Sequence, residues 1–467
     1  MVTAQELVGV IITASTKKTI KDKVAALVAE DCIELQQYIK LALDPQICFF
    51  LTKAQIPKIQ SSTNALTSCA SVFRMLECLS TRTKTGNAAK AAIKEMLEAS
   101  DNWVRVLFQW AIEKKLPGNI GRTIANKVWP DMIYKQPYGG CKPYDPEWID
   151  RRFDWDEGVL IEEKIDGMTM MLSKDMHRNP KVHTRAGQDI TDQMHWYFRR
   201  VFSVMELGTV LHVEAQVLQN GRPIDRAEGN GYFNSIIKGE GKQLRPDQIL
   251  LTVLDQIDYD GFYKGKDPTP AGVRLNRMIS FVEEYEMVTE QPGHVSHHPY
   301  VTFPLWQLIH SVPEAMRFAQ NMIRGGGEGA VIKDPAAPWE SKKMTSQMKV
   351  KNEFDCTLQV VGCKPHKVNP DWVGSLICQS AHSLQDIQLG RQIIETLVGS
   401  GLNEEAGHEL DRTQGPDAFI GKLVEVKAEC ITKNDALQLP RVIEIRHDKT
   451  KADTYDEVVR AYRMSVN

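Results

Sequence analysis

The chain has 467 residues, of which 42% are hydrophobic and 25% charged, with a formal net charge of −3. This is the make-up of folded globular protein with length for roughly three domains, which excludes a disordered or collagen-like chain. It holds no apolar run of about eighteen residues that would mark a membrane span. The near-neutral charge neither announces nor excludes a nucleic-acid partner, because phosphate contacts need a local basic surface rather than a basic protein.

From the N-terminus, MVTAQELVGV lacks the basic start and apolar core of a signal peptide, so a cytoplasmic location is expected. Residues 1–133 read as mostly helical. KDKVAALVAEDCIELQQYIKLAL, ASVFRMLECLS, NAAKAAIKEMLEA and NWVRVLFQWAIEKK carry helix formers with apolar residues three and four apart. Between two of these segments lies Thr81-Arg82-Thr83-Lys84-Thr85-Gly86-Asn87, a basic loop running into a helix start. Its amides and cations suit a phosphate, and a plain helix cap by Thr85 or Asn87 explains the same residues equally well. Gly121-Arg122-Thr123-Ile124-Ala125-Asn126-Lys127 repeats the arrangement. Prolines 130, 137, 143 and 146, with Gly139 and Gly140, mark a linker.

Residues 134–352 change to short apolar runs among loops (GVLIEEKI, MTMMLS, VLHVEAQVL, QILLTVLDQI, GAVIK, QMKVK), the pattern of a mixed α+β domain. Helices are expected over MHWYFRRVFSVMEL, RLNRMISFVEEYE and VPEAMRFAQNMIR. Residues 353–467 hold alternating segments (CTLQVVGCK, VGSLICQSA, QIIETLVG, KLVEVKAEC, PRVIEIRHDK) that suggest a small β-barrel of the oligonucleotide-binding kind. The nine cysteines include no Cys-x-x-Cys pair, which argues against a zinc finger and for free thiols in a reducing compartment.

The most informative stretch is Glu162-Glu163-Lys164-Ile165-Asp166-Gly167, which reads as the turn between two strands, with Gly167 supplying the bend. A lysine two residues before an aspartate suits a covalent nucleotidyl carrier, whose amine attacks the α-phosphate of a nucleotide. A solvated hairpin lysine is the plain alternative. A lysine nucleophile must lose its proton, which requires its pKa to fall from about 10.4 to roughly 7–8. Asp166 opposes that shift, so it is expected to orient the amine or to serve a later step. The attacked phosphate needs cations around it. Met348-Lys349-Val350-Lys351 puts Lys349 and Lys351 on one strand face, and Glu328 precedes the apolar strand that ends in Lys333. Glu328 and Glu214 are carboxylates beside buried strands, suited to magnesium. Each of these alone also reads as a salt-bridged strand end.

Together, these motifs resemble the ATP-dependent DNA ligases, specifically the three-domain bacteriophage type, nearly end to end. Thr85-Gly86-Asn87-Ala88-Ala89 and Ile124 to Pro130 look like its helical DNA-binding domain. The resemblance implies an all-α N-terminal DNA-binding domain (1–133), an α+β nucleotidyltransferase domain (134–352) and a C-terminal oligonucleotide-binding barrel (353–467). It implies that Lys164 carries AMP, with Asp166 beside it, that Glu162 contacts adenine, and that Arg185, in Thr184-Arg185-Ala186-Gly187, binds sugar and phosphate. Glu214, Glu328, Lys333, Lys349 and Lys351 then match the nucleotide-binding motifs, with Glu214 and Glu328 the expected magnesium ligands. His408 to Thr413 and Arg446-His447-Asp448-Lys449 resemble the C-terminal element, whose Arg446 and Lys449 help pyrophosphate leave. The chain departs from the family at Thr169, where an arginine is usual, at His212-Val213, where Asp-Gly is usual, and at Leu254, where an aromatic stacks on adenine.

The implied cofactors are ATP and magnesium. The implied partner is nicked or broken duplex DNA, gripped by Arg82, Lys84, Gly86, Asn87, Arg122, Lys127 and Lys238, with a monomer as the working form. An RNA ligase or capping-type nucleotidyltransferase shares the lysine motif, and a non-catalytic DNA end-binding protein is the alternative of a different class.

Overall fold

The computed structural model describes every residue except 1, 52, 58–67, 240, 242, 290–296, 367–368, 383–389, 391, 433 and 467. The described chain forms two bodies. The first comprises Met1–Gly140, Asp166–Phe303 and Ala336–Lys342, and the second Cys141–Ile165, Pro304–Pro335 and Lys343–Asn467.

In the first body the N-terminal segment is helical, with helices Ala4–Ser15, Ile20–Ala29, Ile33–Leu43, Ala70–Ser80, Gly86–Glu98, Asn102–Glu113 and Arg122–Val128. Their apolar stripes (among them Leu7, Ile11, Tyr38, Leu76, Ile93 and Phe108) share one buried cluster. The long KDKV…KLAL segment is two helices, because Asp31 and Cys32 interrupt it and Cys32 caps the second, its sulfur accepting from the Leu35 amide. The same body holds a twisted sheet in the order Pro180–Thr184, Met168–Lys174, Thr209–Gln219, Ile249–Asp258 and Tyr300–Thr302, with the short Arg222–Pro223 strand paired to the third. Helices Thr191–Val204, Arg226–Lys238 and Ala271–Thr289 accompany it.

The second body has two sheets. One runs Gly140–Pro143, Lys343–Lys351, Gly329–Lys333, Val159–Glu163 and Trp306–Ile309. Alternation gives it two unlike faces. Val159, Ile161, Ala330, Ile332, Met348 and Val350 pack with Ala315, Phe318 and Ala319 of helix Val312–Arg324 in a buried core. The other face carries Leu160, Glu162, Val331, Lys333, Lys349 and Lys351, in register across the antiparallel strands.

The C-terminal sheet is antiparallel in the order Glu395–Val398, Val373–Gln379, Phe354–Pro365, Leu423–Ala428 and Arg441–Ile445. Its two ends meet at an isolated bridge between Ser400 and Arg441. Among the described residues no ladder closes it into a complete barrel. Helix Tyr455–Val466 buries Val458 in this core. No helix among the described residues is long and apolar enough to cross a membrane.

One expectation is corrected here. The strands flanking Lys164 do not form a hairpin. Val159–Glu163 belongs to the second body's sheet, whereas Met168–Lys174 pairs with Pro180–Thr184 and Thr209–Gln219 in the first body. Residues 164–167 are therefore a link between two sheets. Gly167 is required there because a Cβ would sit 2.5 Å from the Ala215 carbonyl oxygen.

Candidate active site

Lys164 leaves the Val159–Glu163 strand with its backbone still tied to the sheet, its amide donating to the Gly329 carbonyl at 3.0 Å. Gly329 adopts φ +132 and sits where a Cβ would collide with the Val350 carbonyl, so only glycine lets the strands close at this point. This close approach brings Glu328 to the lysine. The Lys164 Nζ lies 2.5 Å from Glu328 Oε2, with side chains only 22% and 11% exposed. The other Glu328 oxygen takes the Lys351 ammonium, which also reaches Glu429 Oε1 at 3.0 Å. On the same face Lys333 pairs with Glu162 at 2.5 Å, a diagonal cross-strand contact because Lys333 stands opposite Leu160. Two sets of ion pairs, Lys333 with Glu162 and Lys164 with Glu328 and Lys351, thus stand at one strand face, and Lys349 occupies the same face.

The electrostatics follow from burial and sign. Burial pushes Lys349 below the ordinary lysine value, and the like charges of Lys351 and Lys164 push the same way. For Lys351 burial also opposes the charged form, but the hydrogen bonds and charges of Glu328 and Glu429 outweigh it and hold the amine above its usual range. Burial raises Glu328, yet Lys164 and Lys351 more than compensate, and its carboxyl lies below the ordinary range. The face is a chain of alternating charges from Lys164 through Glu328 and Lys351 to Glu429.

The expected site residues of the first body have their own partners. Glu214 stands directly opposite Thr169, whose hydroxyl donates to it at 2.8 Å, and it accepts the Gly167 amide at 3.1 Å. The threonine that replaces the usual arginine is therefore a partner of this glutamate. Asp166 holds Arg226 at 2.6 Å, and its carbonyl accepts from the Gln216 amide group at 3.0 Å. Arg185 lies over the Tyr138 ring, 4.3 Å from its centroid, with His212 edge-on to that ring at 5.6 Å. Leu254 is the extra residue of a bulge, since His212 pairs with Asp255 and Val213 with Val253. Bulges re-aim side chains beside functional sites. Next to it, Asp255 binds the buried Arg274 through both oxygens, at 2.8 and 3.2 Å.

The carboxylates do not fit a resident metal. Both Glu328 oxygens meet lysine ammoniums and both Glu214 oxygens accept hydrogen bonds. Among the described residues no group of three His, Cys, Asp or Glu side chains is placed to hold an ion.

The remaining expected residues have other partners or are exposed. Arg446 is held by Glu425 and, at 2.6 and 2.7 Å, by Asp448, and these acids raise it further above its already high range. Lys449 pairs with Asp453 at 2.9 Å. In the helical segment Gly86 opens its helix at φ +53 while Thr85 makes no side-chain capping bond, so the cap alternative is not used. Arg82 packs over the Phe50 ring at 4.6 Å, and Arg122 donates to the Ala186 carbonyl at 2.6 Å. Lys84, Asn87, Lys127 and Lys238 are exposed.

Sequence reasoning missed Glu429, Arg226, Arg274 and Tyr138. None lies in a motif that marks it, since Glu429 merely follows a strand and Arg226 opens a helix that periodicity did not reveal.

No family model matches the chain. The DNA ligase of Enterobacteria phage T4 is 24% identical over 471 residues, spanning 91% of this chain and 92% of the relative. The DNA ligase of Enterobacteria phage T6 matches with the same identity and coverage. Two solved structures share the fold, each at 19% identity. Pmar-Lig_Pre has a TM-score of 0.64 over 95% of this chain and 99% of its own, and Pmar-Lig_PreS3 has 0.62 over 94% and 99%. The likeness to the phage enzymes thus runs along nine-tenths of the chain's length.

Proposed function

We propose that this chain is a DNA ligase that uses ATP to seal breaks between a 5′-phosphate and a 3′-hydroxyl in duplex DNA, through AMP carried on Lys164. The observation that carries this reading is the Lys164 amine set on a strand face with Glu328 at 2.5 Å and with Lys333, Lys349 and Lys351 beside it. In the first step the amine attacks the α-phosphate. A phosphorus–nitrogen bond forms, the bond to pyrophosphate breaks, and the amine proton has an acceptor in Glu328. The lysines answer the charge that builds on the phosphate. AMP then passes to the 5′-phosphate of the nick as the phosphorus–nitrogen bond breaks, and the 3′-hydroxyl displaces AMP to join the strands.

Glu162 is assigned to adenine, Arg185 to sugar and phosphate, and Leu254 to apolar contact with the base. Asp166 serves the steps after adenylylation, its charge balanced by Arg226. Magnesium is read as part of the substrate, arriving on the triphosphate, which suits an ion that keeps several waters and few protein ligands. Arg446 and Lys449 must leave their acidic partners to act on pyrophosphate, a change that domain closure can supply.

DNA is held by the helical segment through Arg82, Lys84, the Gly86–Asn87 helix start, Arg122 and Lys127, and by Lys238. Such contacts make affinity salt-dependent and nearly blind to sequence. The functional division is read as 1–133 for DNA binding, 134–352 for nucleotidyl transfer and 353–467 for the oligonucleotide-binding segment. The enzyme works as a monomer in the cytoplasm of a bacterial host.

The test is mass spectrometry after incubation with ATP and magnesium. One AMP on the peptide containing Lys164 is expected. Unmodified protein that still seals nicks overturns the reading.

A further inference from the structure

Glu429 is the one carboxylate in the charge chain that no motif explains. It follows the Leu423–Ala428 strand of the C-terminal sheet, and it is fixed rather than loosely placed. The Asn352 side chain donates to its backbone carbonyl at 3.2 Å, while its carboxylate meets Lys351 at 3.0 Å. Two residues earlier, Lys427 lies 3.6 Å from Asp355 and 3.9 Å from Glu353. The end of one C-terminal strand therefore grips both sides of the short join between Lys343–Lys351 and Phe354–Pro365.

The charge balance gives this contact a consequence. Lys164, Glu328, Lys351 and Glu429 sum to zero, so a phosphate approaching Lys351 meets an ammonium already shared between two carboxylates. Without Glu429 the same cluster carries a net positive charge. Both side chains are largely buried, 15% exposed for Lys351 and 22% for Glu429, so solvent screens the pair only in part.

We propose that Glu429 is a positioning residue for nucleotide binding, which holds the Lys351 ammonium to the C-terminal sheet and competes with the incoming triphosphate for it. Binding of the triphosphate draws Lys351 off Glu429 and removes one of the contacts that grip the join. The inference rests on the ligase reading and adds to it a residue that sets how tightly ATP is held.

The experiment measures self-adenylylation of the full chain against the concentration of magnesium-ATP, with thermal unfolding in parallel. Glu429→Gln keeps the size and removes the charge. Its half-saturating ATP concentration is expected to fall about three- to tenfold, as for loss of one competing charged hydrogen bond, with the maximal rate little changed. Glu429→Asp keeps the charge and is expected to stay near the wild type. A merely structural glutamate behaves otherwise, with a lower unfolding midpoint and slower adenylylation but no gain in ATP affinity. An unchanged or raised half-saturating concentration in Glu429→Gln overturns the proposal, as does a fall of equal size in both variants. So does a Glu429→Gln variant without a cooperative unfolding transition, because the role is then structural. A wild-type chain that forms no AMP adduct defeats the ligase reading itself, which distinguishes the two failures.

Discussion

The lysine region of the second body and the Glu214–Asp255 region of the first body treat their carboxylates differently. In the second body Glu162, Glu328 and Glu429 are matched by lysines. In the first body Glu214 takes a backbone amide and a hydroxyl, and Asp255 takes both arms of Arg274, whose side chain is 1% exposed. A lysine ammonium is a point charge on a flexible stem and can exchange one anion for another, whereas a buried guanidinium fork is matched to one carboxylate in one geometry. On the proposed reading the lysine-rich face exchanges its carboxylates for phosphate, whereas the arginine and amide pairs hold shape.

Four substitutions test this contrast, in descending order of effect. Lys164→Ala removes the nucleophile and is expected to lower self-adenylylation by at least about a thousandfold. A labelled-AMP adduct retained at normal yield would break the assignment. Asp255→Ala is expected to act on folding instead. Leaving Arg274 buried and unpaired costs about 3–5 kcal/mol, read from denaturant unfolding, and a loss below 1 kcal/mol would show that this pair is as exchangeable as the lysines.

Glu328→Gln should show the reverse profile. Adenylylation falls about a hundredfold for loss of a positioned proton acceptor, while stability drops less than in Asp255→Ala because the lysine stems let their ammoniums turn to water. The pair also sets a pH dependence. Glu328 is held below its ordinary 4.5 and Lys351 above its ordinary 10.5. The glutamate's contribution to stability is therefore present above pH 4.5 and lost as pH falls through its lowered value. The lysine's is present below pH 10.5 and lost as pH rises through its raised value. Glu328→Gln is expected to flatten the acid limb of stability measured against pH. The smallest effect is expected for Thr169→Val, which removes one hydrogen bond to Glu214 and costs about 1 kcal/mol. A change in ATP affinity larger than this stability loss would show that Glu214 belongs with the exchangeable set.

The lysine face was legible because strand alternation is local. Once Val159–Glu163, Gly329–Lys333 and Lys343–Lys351 are strands, Glu162, Lys333, Lys349 and Lys351 must share a side, and periodicity marked these strands. Helix Val312–Arg324 was legible at both ends for the same reason. The Arg226–Lys238 helix was not, because two of its residues are glycine and its polar face resembles a basic loop. The hairpin around Lys164 misled because an apolar run, a glycine and a second apolar run look alike whether the strands pair with each other or with distant partners.

By itself the sequence determined which residue types stand on which face of each strand, the helical character of the N-terminal segment, and the lysine-aspartate-glycine motif with its likeness to the phage ligases. These follow from backbone geometry and side-chain chemistry within a few residues. Only the tertiary structure decided that the motif links two sheets, that Thr169 serves Glu214, and that Glu429 reaches Lys351 from 78 residues along the chain. Those outcomes depend on which strands pair and in what register, and the free energy that selects among pairings comes from burial and hydrogen bonding between segments far apart in sequence.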